Sequence, residues 1–307
     1  MRNLQVYRYV DAIARTGSIR KAAEQLAITP SALNRRILAL EEELDAPIFE
    51  RLGRGVRLST AGELLIDMFR KQLAEADLVK SRIADLTGLR RGHVTVTCSQ
   101  AVLPHFLPEQ VRLYQQSFPD VTFSIQNKDG EDAEEALRNH AVDLAVVFEP
   151  LSNSDFQTLA SVPQPIHALM AADHPLANNE TLKFSDCLAY PLALPSKTYA
   201  VRQILRAYSD RLAVRLSPSI EAESYIFLRN FVAHSQAIAF ELEIGVRAKA
   251  LNNNVKSIPL SVSPGSYGSL YVAQLKERTL PVASARFAQQ LVEVLENSSF
   301  GDTSLDG

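Results

Sequence analysis

The fold of this chain is decided by residues 18–62, which read SIRKAAEQLAITPSALNRRILALEEELDAPIFERLGRGVRLSTAG. Apolar residues at helical spacing predict a helix over about 3–15, before this stretch. Ser18 is a predicted N-cap for a second helix, and Thr29 is one for a third helix that extends to about Leu44. Pro30 fits the first turn of the third helix, where a missing N–H costs nothing. The two short helices and their tight turn predict a helix-turn-helix.

A wing is predicted over residues 48–58, as two short strands on either side of the turn Gly53-Arg54-Gly55. We expect the polar face of the third helix in the major groove and the wing tip at a phosphate or a minor groove. An ordinary solvated helix face is the alternative interpretation of Asn34 and Arg35. The candidate DNA-binding residues are Thr29, Ser31, Asn34, Arg35, Arg51 and Arg54.

Charge is distributed unevenly along the chain. The 307 residues contain 32 Lys and Arg against 35 Asp and Glu, but residues 1–58 carry ten basic and seven acidic residues. A basic segment on an acidic body is a pattern that DNA-binding regulators show. No apolar run approaches the roughly 18–20 residues of a membrane helix, and the N-terminus lacks a signal peptide's apolar stretch. The two cysteines, Cys98 and Cys187, form no disulfide framework, which favours a cytoplasmic location.

A long linker helix is predicted from its N-cap Ser59 to about Leu86. Its apolar residues recur at steps of three and four, close to a coiled-coil seam, which predicts pairing with a second copy of the chain. Packing against the body of the same chain is the alternative. The predicted dimerisation residues are Ala76, Val79, Ile83 and Leu86. A breaker over residues 87–92 then separates predicted domains at 1–58, 59–89 and 90–307.

Beyond residue 92, short apolar runs alternate with helical patterns. They predict strands at 94–98, 121–125 and 143–148, with helices over about 101–117 and 131–140 between them. Further strands are expected near 166–171, 191–194, 218–222, 237–240 and 270–273, and further helices near 198–213, 224–233, 243–250 and 281–297. This order predicts an α/β body with mostly parallel sheets in two lobes and a ligand between them, at the carboxyl ends of the strands.

The N-terminal segment resembles the signature of LysR-type transcriptional regulators. The resemblance rests on Ser18, Ala22-Ala23, Leu26, Ile28-Thr29, Ala32-Leu33, Ile37, Leu40-Glu41, Leu44, Ile48-Phe49, Arg51, Leu58-Ser59 and Ala61-Gly62. Pro30, Asn34 and Asp45 stand where the family usually has Gln, Ser and Gly. The first two changes bear on base preference, and the third is mild because Asp tolerates the left-handed conformation.

The body resembles the effector domain of the same family. The matching motifs are Leu107-Pro108, Phe118-Pro119-Asp120-Val121, Ala136-Leu137, Val142-Asp143-Leu144-Ala145 and His174-Pro175-Leu176-Ala177. The resemblance implies a fold similar to periplasmic binding proteins, with chain crossings near 163 and 265. Lobe I would then comprise about 92–163 and 266–298, and lobe II about 164–265. Residues 234–240, HSQAIAF, replace a Gly-rich segment of the family and bear on the shape of the pocket.

The resemblance also implies a function and partners. It implies a sequence-specific regulator that binds double-stranded promoter DNA as a homodimer or homotetramer. A small-molecule effector between the lobes would change how the dimers are set and hence the contact with RNA polymerase. The alternative is an α/β enzyme or solute-binding protein with a basic docking domain. The missing signal peptide argues against a transport receptor, and missing phosphate-loop, dinucleotide and hydrolase motifs argue against an enzyme.

The predicted effector site joins the end of the first strand of the body to a loop of the second lobe. Ser99 and Gln100 precede a helix whose free N–H groups favour an anion, and the nearby lysines could add positive charge. The candidate residues are Ser99, Gln100, Lys128, Ser196, Lys197, Thr198 and Tyr199. They predict a small carboxylate or a similar anion as the effector. Ordinary loop residues, with the lysines in solvent, are the alternative.

Other chemistry finds little support in the sequence. The six histidines share no metal-ligand spacing, so no metal site is expected, with a site assembled from distant residues as the alternative. Because the catalytic and cofactor motifs are missing, neither a catalytic residue nor a cofactor is expected. Cys98 is expected to be a small buried hydrophobe, with a redox role as the alternative. Glu41, Glu42 and Glu43 are expected to form a solvated helix face.

Overall fold

The computed structural model describes residues 2–86, 91–151, 154–246, 254–261 and 268–297. Between residues 89 and 90 the chain divides into two compact units, each with its own core. Among the helices of these ranges, none combines the length and the apolar character that crossing a bilayer requires.

The first unit consists of helices and a small two-stranded sheet. Over residues 2–86 its elements are α1 Arg2–Thr16, α2 Ile19–Gln25, α3 Pro30–Leu44, β1 Phe49–Arg51, β2 Val56–Leu58 and α4 Thr60–Leu86. The strands β1 and β2 pair antiparallel. The predicted helix-turn-helix, wing and linker helix are confirmed.

Side-chain caps determine where these helices begin. Thr29 Oγ1 accepts a hydrogen bond from Ala32 N at 3.2 Å, and Ser59 Oγ accepts one from Gly62 N at 3.0 Å. Each bond satisfies an N–H without a partner inside the helix, which stabilises the helix by about 1 kcal/mol. Asp45 ends α3 with a φ of 51°, so it adopts the left-handed conformation that Gly usually takes.

The first half of α4 packs within its own unit. The ring of Phe69 stacks on Tyr7 with 4.1 Å between the ring centroids, and Arg70 Nε lies 2.8 Å from Asp11 Oδ1. Both charged side chains are largely buried, so the contact between α1 and α4 combines apolar and ionic packing. The small, fully buried residues Ala22-Ala23 let α2 approach the same core closely.

The second unit is built on two five-stranded sheets. In spatial order the first sheet contains β4 Val121–Asn127, β3 Gly92–Cys98, β5 Leu144–Val147, β12 Gly268–Leu275 and β6 Phe156–Gln164. The second contains β11 Val255–Pro259, β7 Ile166–Ala171, β10 Ile238–Leu242, β8 Leu192–Pro195 and β9 Ile220–Ala222. The described helices are α5 Phe106–Ser117, α6 Gly130–Arg138, α7 Phe184–Cys187, α8 Ala200–Arg211, α9 Tyr225–Val232, α10 Glu243–Val246 and α11 Val282–Glu296.

Each sheet has one reversed strand. In the first sheet β12 pairs antiparallel with β5 and β6, while β3 is parallel to β4 and β5. In the second, β7 pairs antiparallel with β10 and β11, while β8 is parallel to β9 and β10. Since β6 ends at Gln164 and β7 begins at Ile166, the reversed β7 is the strand by which the chain enters the second sheet.

Several sequence-based boundaries were wrong. The helix expected over 101–117 is a 3₁₀ turn at Gln100–Val102 followed by α5, because Pro104 has no N–H with which to continue a helix. The strands β6 and β11 and the short helix α7 were not predicted. Both strands lie at sheet edges and contain a proline, which weakens a strand pattern but is tolerated at an edge. The expected crossing near 265, the end of the 243–250 helix and the end of lobe I at 298 lie outside the described residues.

Asp143, just before β5, joins distant segments of the first sheet. Its Oδ1 accepts a hydrogen bond from Arg278 Nη2 at 2.6 Å. Its Oδ2 accepts bonds from the backbone N–H and the hydroxyl of Thr95, both at 3.0 Å, and from Ser284 Oγ at 2.9 Å. The carboxylate is almost completely buried, so these bonds replace its hydration. They connect β3 and β5 to the segment that returns from the second sheet as β12 and α11.

Candidate nucleic-acid interface and ligand cleft

The helix α3 presents a polar face to solvent. Ser31 and Arg35 are exposed, and Asn34 is half-buried. Thr29 Oγ1 lies 3.2 Å from Ser31 Oγ and also caps the helix, so its hydroxyl is largely occupied within the protein. Among the candidate residues, the outward groups of α3 are therefore mainly Ser31 and Arg35.

The wing adds two exposed arginines. Arg51 ends β1 and Arg54 lies in the turn, whereas Arg57 on β2 pairs with Glu50 across the strands at 2.7 Å. Within the part of the chain that the structure describes, the side chains of Arg35, Arg51 and Arg54 form no ion pair or hydrogen bond. Their charges are thus available to an anionic surface such as a DNA backbone.

The wing is held against the turn between α1 and α2. Val56 N donates a hydrogen bond to Gly17 O at 2.9 Å. Gly55 has a φ of 86°, and a Cβ at this position would collide with Gly17 O. Glycine is therefore required at the wing turn for both conformation and space.

Glu41 supports the wing from the other side. Its Oε1 accepts hydrogen bonds from Ile48 N at 2.7 Å and from Phe49 N at 3.1 Å. The expectation of a solvated Glu41 was wrong, while Glu42 and Glu43 are exposed as expected. A side chain of α3 thus sets the position of β1, which couples the helix to the wing.

The second unit contains a cleft at the carboxyl ends of β3, β4 and β5. Its principal lining residues come from both sheets and are Ser99, Gln100, Asp129, Phe148, Glu149, Tyr199, Tyr225 and Leu242. The space at its centre is about 10 Å³, which is room for about one water molecule. The described conformation is therefore a closed one.

Two hydrogen bonds join the walls of the cleft. Tyr225 N donates to Gln100 Oε1 at 2.9 Å, and Gln203 Nε2 donates to Glu149 Oε1 at 2.6 Å. Each bond connects a residue after a strand of the first sheet to a helix of the second sheet. A ligand larger than water requires these contacts to open.

The cleft is acidic. Asp129 accepts a hydrogen bond from the Ser99 hydroxyl, and burial raises the pKa of Asp129 although this bond opposes the rise. Burial and then the charge of Asp129 raise the pKa of Glu149, against a lowering by the bond from Gln203. Among the described residues no Lys, Arg or His lines the cleft. The two carboxylates therefore share it without a cation.

Two tyrosines form one wall of the cleft. The rings of Tyr199 and Tyr225 stack with 5.6 Å between their centroids and 20° between their planes. Tyr199 Oη donates to Glu223 O at 2.7 Å. Burial is the main cause that raises the pKa of each hydroxyl, so both remain neutral at physiological pH.

The predicted effector residues do not all meet at this cleft. Ser99, Gln100 and Tyr199 line it. In the described structure Lys128, Ser196 and Thr198 are not among its lining residues, and Lys197 lines a separate cavity beside α8.

These positions argue against the small carboxylate expected from the sequence. The helix start after Ser99 is only a 3₁₀ turn, and the expected lysines do not reach the cleft. An anion would instead meet Asp129 and Glu149, whose charges repel it. Sequence reasoning missed these two residues, although both follow parallel strands whose carboxyl ends meet at one edge.

The segment that replaces a Gly-rich stretch of the family leads into β10. The backbone of residues 234–240 has no positive φ, so this stretch accommodates the non-glycine residues without strain. β10 is completely buried, and its last residue Leu242 lines the cleft.

The cysteines are inert groups of the core. Cys98 and Cys187 are free and fully buried, and burial raises the pKa of each thiol to about 12. Both are therefore protonated at neutral pH, which does not favour a redox role. In the described ranges no cluster of His, Cys, Asp or Glu has the arrangement of a metal site.

The far half of α4 carries an exposed apolar stripe. Val79 is 54%, Ile83 56% and Leu86 88% exposed, while Ala76 is half-buried. Leu64 and Met68 are also exposed and lie on the same side of the helix by the spacing of their positions. A stripe of this length on a solvent-exposed helix face is typical of a helix that packs against a partner.

Two family models match the chain. Residues 4–63 match the family described as "Bacterial regulatory helix-turn-helix protein, lysR family", and residues 87–296 match "LysR substrate binding domain". The chain belongs to the LysR family of transcriptional regulators. The resemblance found in the sequence is confirmed, and this LysR family consists of regulators rather than enzymes.

Individual relatives of this LysR chain agree over nearly its whole length. The transcriptional activator CmpR of Synechocystis sp. is 23% identical over 296 residues, which are 95% of this chain and 96% of the relative. A full-length OxyR of Pseudomonas aeruginosa has a TM-score of 0.73 at 20% identity and covers 97% of this chain and 95% of its own. CbnR in complex with its target DNA has a TM-score of 0.62 at 17% identity, with 95% and 99% covered. These structures confirm the predicted fold class, an N-terminal helix-turn-helix, a linker helix and a two-sheet α/β domain.

Removing the Glu41 carboxylate from this LysR regulator tests its role in the wing. Glu41→Ala leaves the N–H groups of Ile48 and Phe49 without their acceptor, which is expected to cost about 1–3 kcal/mol. Urea unfolding of the intact protein measures this loss, and DNA affinity should fall with it. Glu42→Ala removes the same charge from an exposed neighbour and should change neither quantity. Equal stability of the two variants would contradict the assignment.

The shared carboxylates of the LysR effector domain predict a pH-dependent stability. Because burial raises the folded-state pKa of Asp129, the ionised form destabilises the fold above that pKa, and this cost vanishes below the unfolded value of about 3.9. Asp129→Asn keeps an acceptor for Ser99 and should be more stable than the parent at neutral pH. The advantage should shrink as the pH falls to about 4 in thermal unfolding. The exposed Asp120→Asn is the control, and a destabilised Asp129→Asn at neutral pH would refute the prediction.

Proposed function

We propose that this LysR regulator recognises a specific promoter sequence in double-stranded DNA and responds to a small-molecule effector in the cleft. The observation that carries the proposal is the set of exposed arginines on α3 and the wing, without partners among the described residues. Residues 1–58 are the proposed DNA-binding domain, 59–89 the linker and 90–307 the effector domain, with lobes at about 92–163 and 266–298 and at about 164–265.

The proposed DNA contacts follow from the chemistry of each group. Arg35 forks onto a guanine in the major groove, beside Ser31 and Asn34. Thr29 stands at the N-terminus of α3, where free N–H groups favour a phosphate. Arg51 and Arg54 reach the backbone or a minor groove from the wing.

The proposed assembly is a homodimer or homotetramer. The exposed stripe of α4 would be buried against a second copy, through Ala76, Val79, Ile83 and Leu86. Two copies place two recognition helices on successive half-sites. Both are needed because a single half-site offers too few contacts for tight binding to promoter DNA. A cytoplasmic location and a contact with RNA polymerase complete this proposal for a bacterial regulator.

The proposed effector separates the walls of the closed cleft. It would replace the bonds Gln100–Tyr225 and Glu149–Gln203 and bring hydrogen-bond donors or positive charge to Asp129 and Glu149. To act as a switch, it must favour one arrangement of the dimers over the other, typically by about 1–3 kcal/mol.

Base recognition is tested on a duplex selected from random DNA by the parent protein. Arg35→Ala should cost about 1–3 kcal/mol of binding energy and relax the preference at one base pair. Arg54→Ala should weaken all sequences similarly and reduce the salt dependence of binding by about one unit. Fluorescence anisotropy over a series of salt concentrations measures both effects.

Arg112→Ala is the matched control for these variants, because it removes one exposed positive charge from the second unit. It should leave affinity, base preference and salt slope close to those of the parent. If Arg35→Ala keeps the parent's operator affinity, the recognition-helix assignment is wrong.

The linker stripe is tested by sedimentation. Replacing Val79 and Ile83 by Glu puts charges on the stripe and should dissociate the dimer, because buried carboxylates without partners are costly. The single variant Lys80→Glu makes the same change in net charge but lies off the stripe and should remain dimeric. A dissociated double variant that still binds the operator tightly would contradict the need for two half-sites.

A further inference from the structure

A second cavity lies beside α8, apart from the cleft. It has a volume of about 590 Å³ and is lined mainly by Lys197, Arg202, Gln203, Arg206, Asp210 and Arg215. Pockets that hold small organic molecules typically have about 300–1,000 Å³. Unlike the closed cleft, this cavity therefore has room for a metabolite in the described conformation.

The cavity is strongly basic. Its lining contains four cationic side chains and one carboxylate, that of Asp210. Within the described residues, Lys197, Arg206 and Arg215 form no ion pair. An uncompensated group of cations in a concave site attracts an anion.

Arg202 supplies a buried cation with weak partners. Its residue is 8% exposed, and its Nη2 lies 3.4 Å from Glu221 Oε2. Its Nη1 lies 3.5 Å from Pro195 O, which is long for a hydrogen bond. The guanidinium therefore retains donors that a ligand in the cavity could use.

Two arginines of the same helix line the cavity. Arg202 and Arg206 are four residues apart on α8, a spacing that puts both side chains on one face of the helix. An oxyanion at this face would accept hydrogen bonds from both guanidinium groups, and arginine binds planar oxyanions with two parallel hydrogen bonds. Val214 and Leu216 add apolar surface for an organic part of the ligand.

We propose that the α8 cavity binds a small organic molecule with several negative charges, carried by phosphate or carboxylate groups. This site is separate from the effector cleft, whose lining is acidic. Lys197, which was expected from the sequence to bring positive charge to the cleft, lines this cavity instead.

The cavity shares one side chain with the closure of the cleft. Gln203 lines the cavity and donates the hydrogen bond to Glu149 that joins the two walls of the cleft. The same helix begins after Tyr199, which lines the cleft. Gln203 is therefore the side chain through which an anion on α8 would act on the cleft, if the anion binds the open and closed forms with different affinity.

Calorimetry on the intact protein tests the proposal, with tripolyphosphate and citrate as probes. Arg206→Gln combined with Arg215→Gln removes two exposed cations of the cavity, and binding should weaken by about tenfold or more. The matched control is Arg112→Gln combined with Arg211→Gln, which removes two exposed charges of the same unit outside the cavity lining. A variant with Arg35→Ala and Arg54→Ala reports any binding of the probes at the DNA-binding face.

A loss of affinity confined to the cavity variant supports the site. Tighter binding of tripolyphosphate then assigns phosphate groups to the ligand, and tighter binding of citrate assigns carboxylates. Three results overturn the proposal: no binding of either probe at millimolar concentration, equal losses in the cavity variant and its control, or loss only in the variant of α3 and the wing. None of these results affects the proposed recognition of DNA.

Discussion

The buried carboxylate of Asp143 is the constraint on which the geometry of the second unit depends. The chain leaves the first sheet at β6, builds the second sheet and returns as β12, so the first sheet is completed late in the chain. Asp143 binds Arg278 and Ser284 of the returning segment and Thr95 of β3 at the same time. It stands just before β5, and Glu149 follows the other end of that strand, while Ser99 follows β3. The register between β3 and β5 places Ser99 beside the acidic residues of the cleft. Asp143 stabilises this register from the end of the strands opposite to the cleft.

Local signals made most of the fold predictable, and their absence explains the rest. Thr29, Ser59 and the apolar stripes of α3 and α4 carry the information for helix starts and faces within a few residues of sequence. The edge strands β6 and β11 have mixed polarity and a proline each, so their pairing depends on neighbours far away in the chain. Asp143 and Arg278 are 135 residues apart, and no periodicity in the sequence reports such a pair.

The candidate sites were predictable to the extent that backbone position determines them. The recognition face of α3 and the wing lie in one continuous stretch of sequence, so the sequence alone was enough to identify their arginines. In the cleft, the strand ends identified Ser99 and Gln100, but the choice between the neighbours Lys128 and Asp129 depends on which side chain turns inward. Because an anionic effector was expected, Lys128 was chosen from the sequence, whereas the structure places Asp129 in the cleft. Glu41 was misjudged for a similar reason, since its Oε1 turns toward the chain and accepts hydrogen bonds from the backbone N–H groups of Ile48 and Phe49.

The closed cleft has a kinetic consequence for the binding of the proposed effector. A space for about one water molecule admits no ligand on simple collision, so association must wait until the bonds Gln100–Tyr225 and Glu149–Gln203 break. The observed rate of binding then levels off with rising ligand concentration at the rate of opening, which for lobe motions is typically on the microsecond to millisecond scale. Since the proposed effector replaces these two bonds, they cannot hold the cleft shut behind it, and its residence time depends on its own contacts with Asp129 and Glu149.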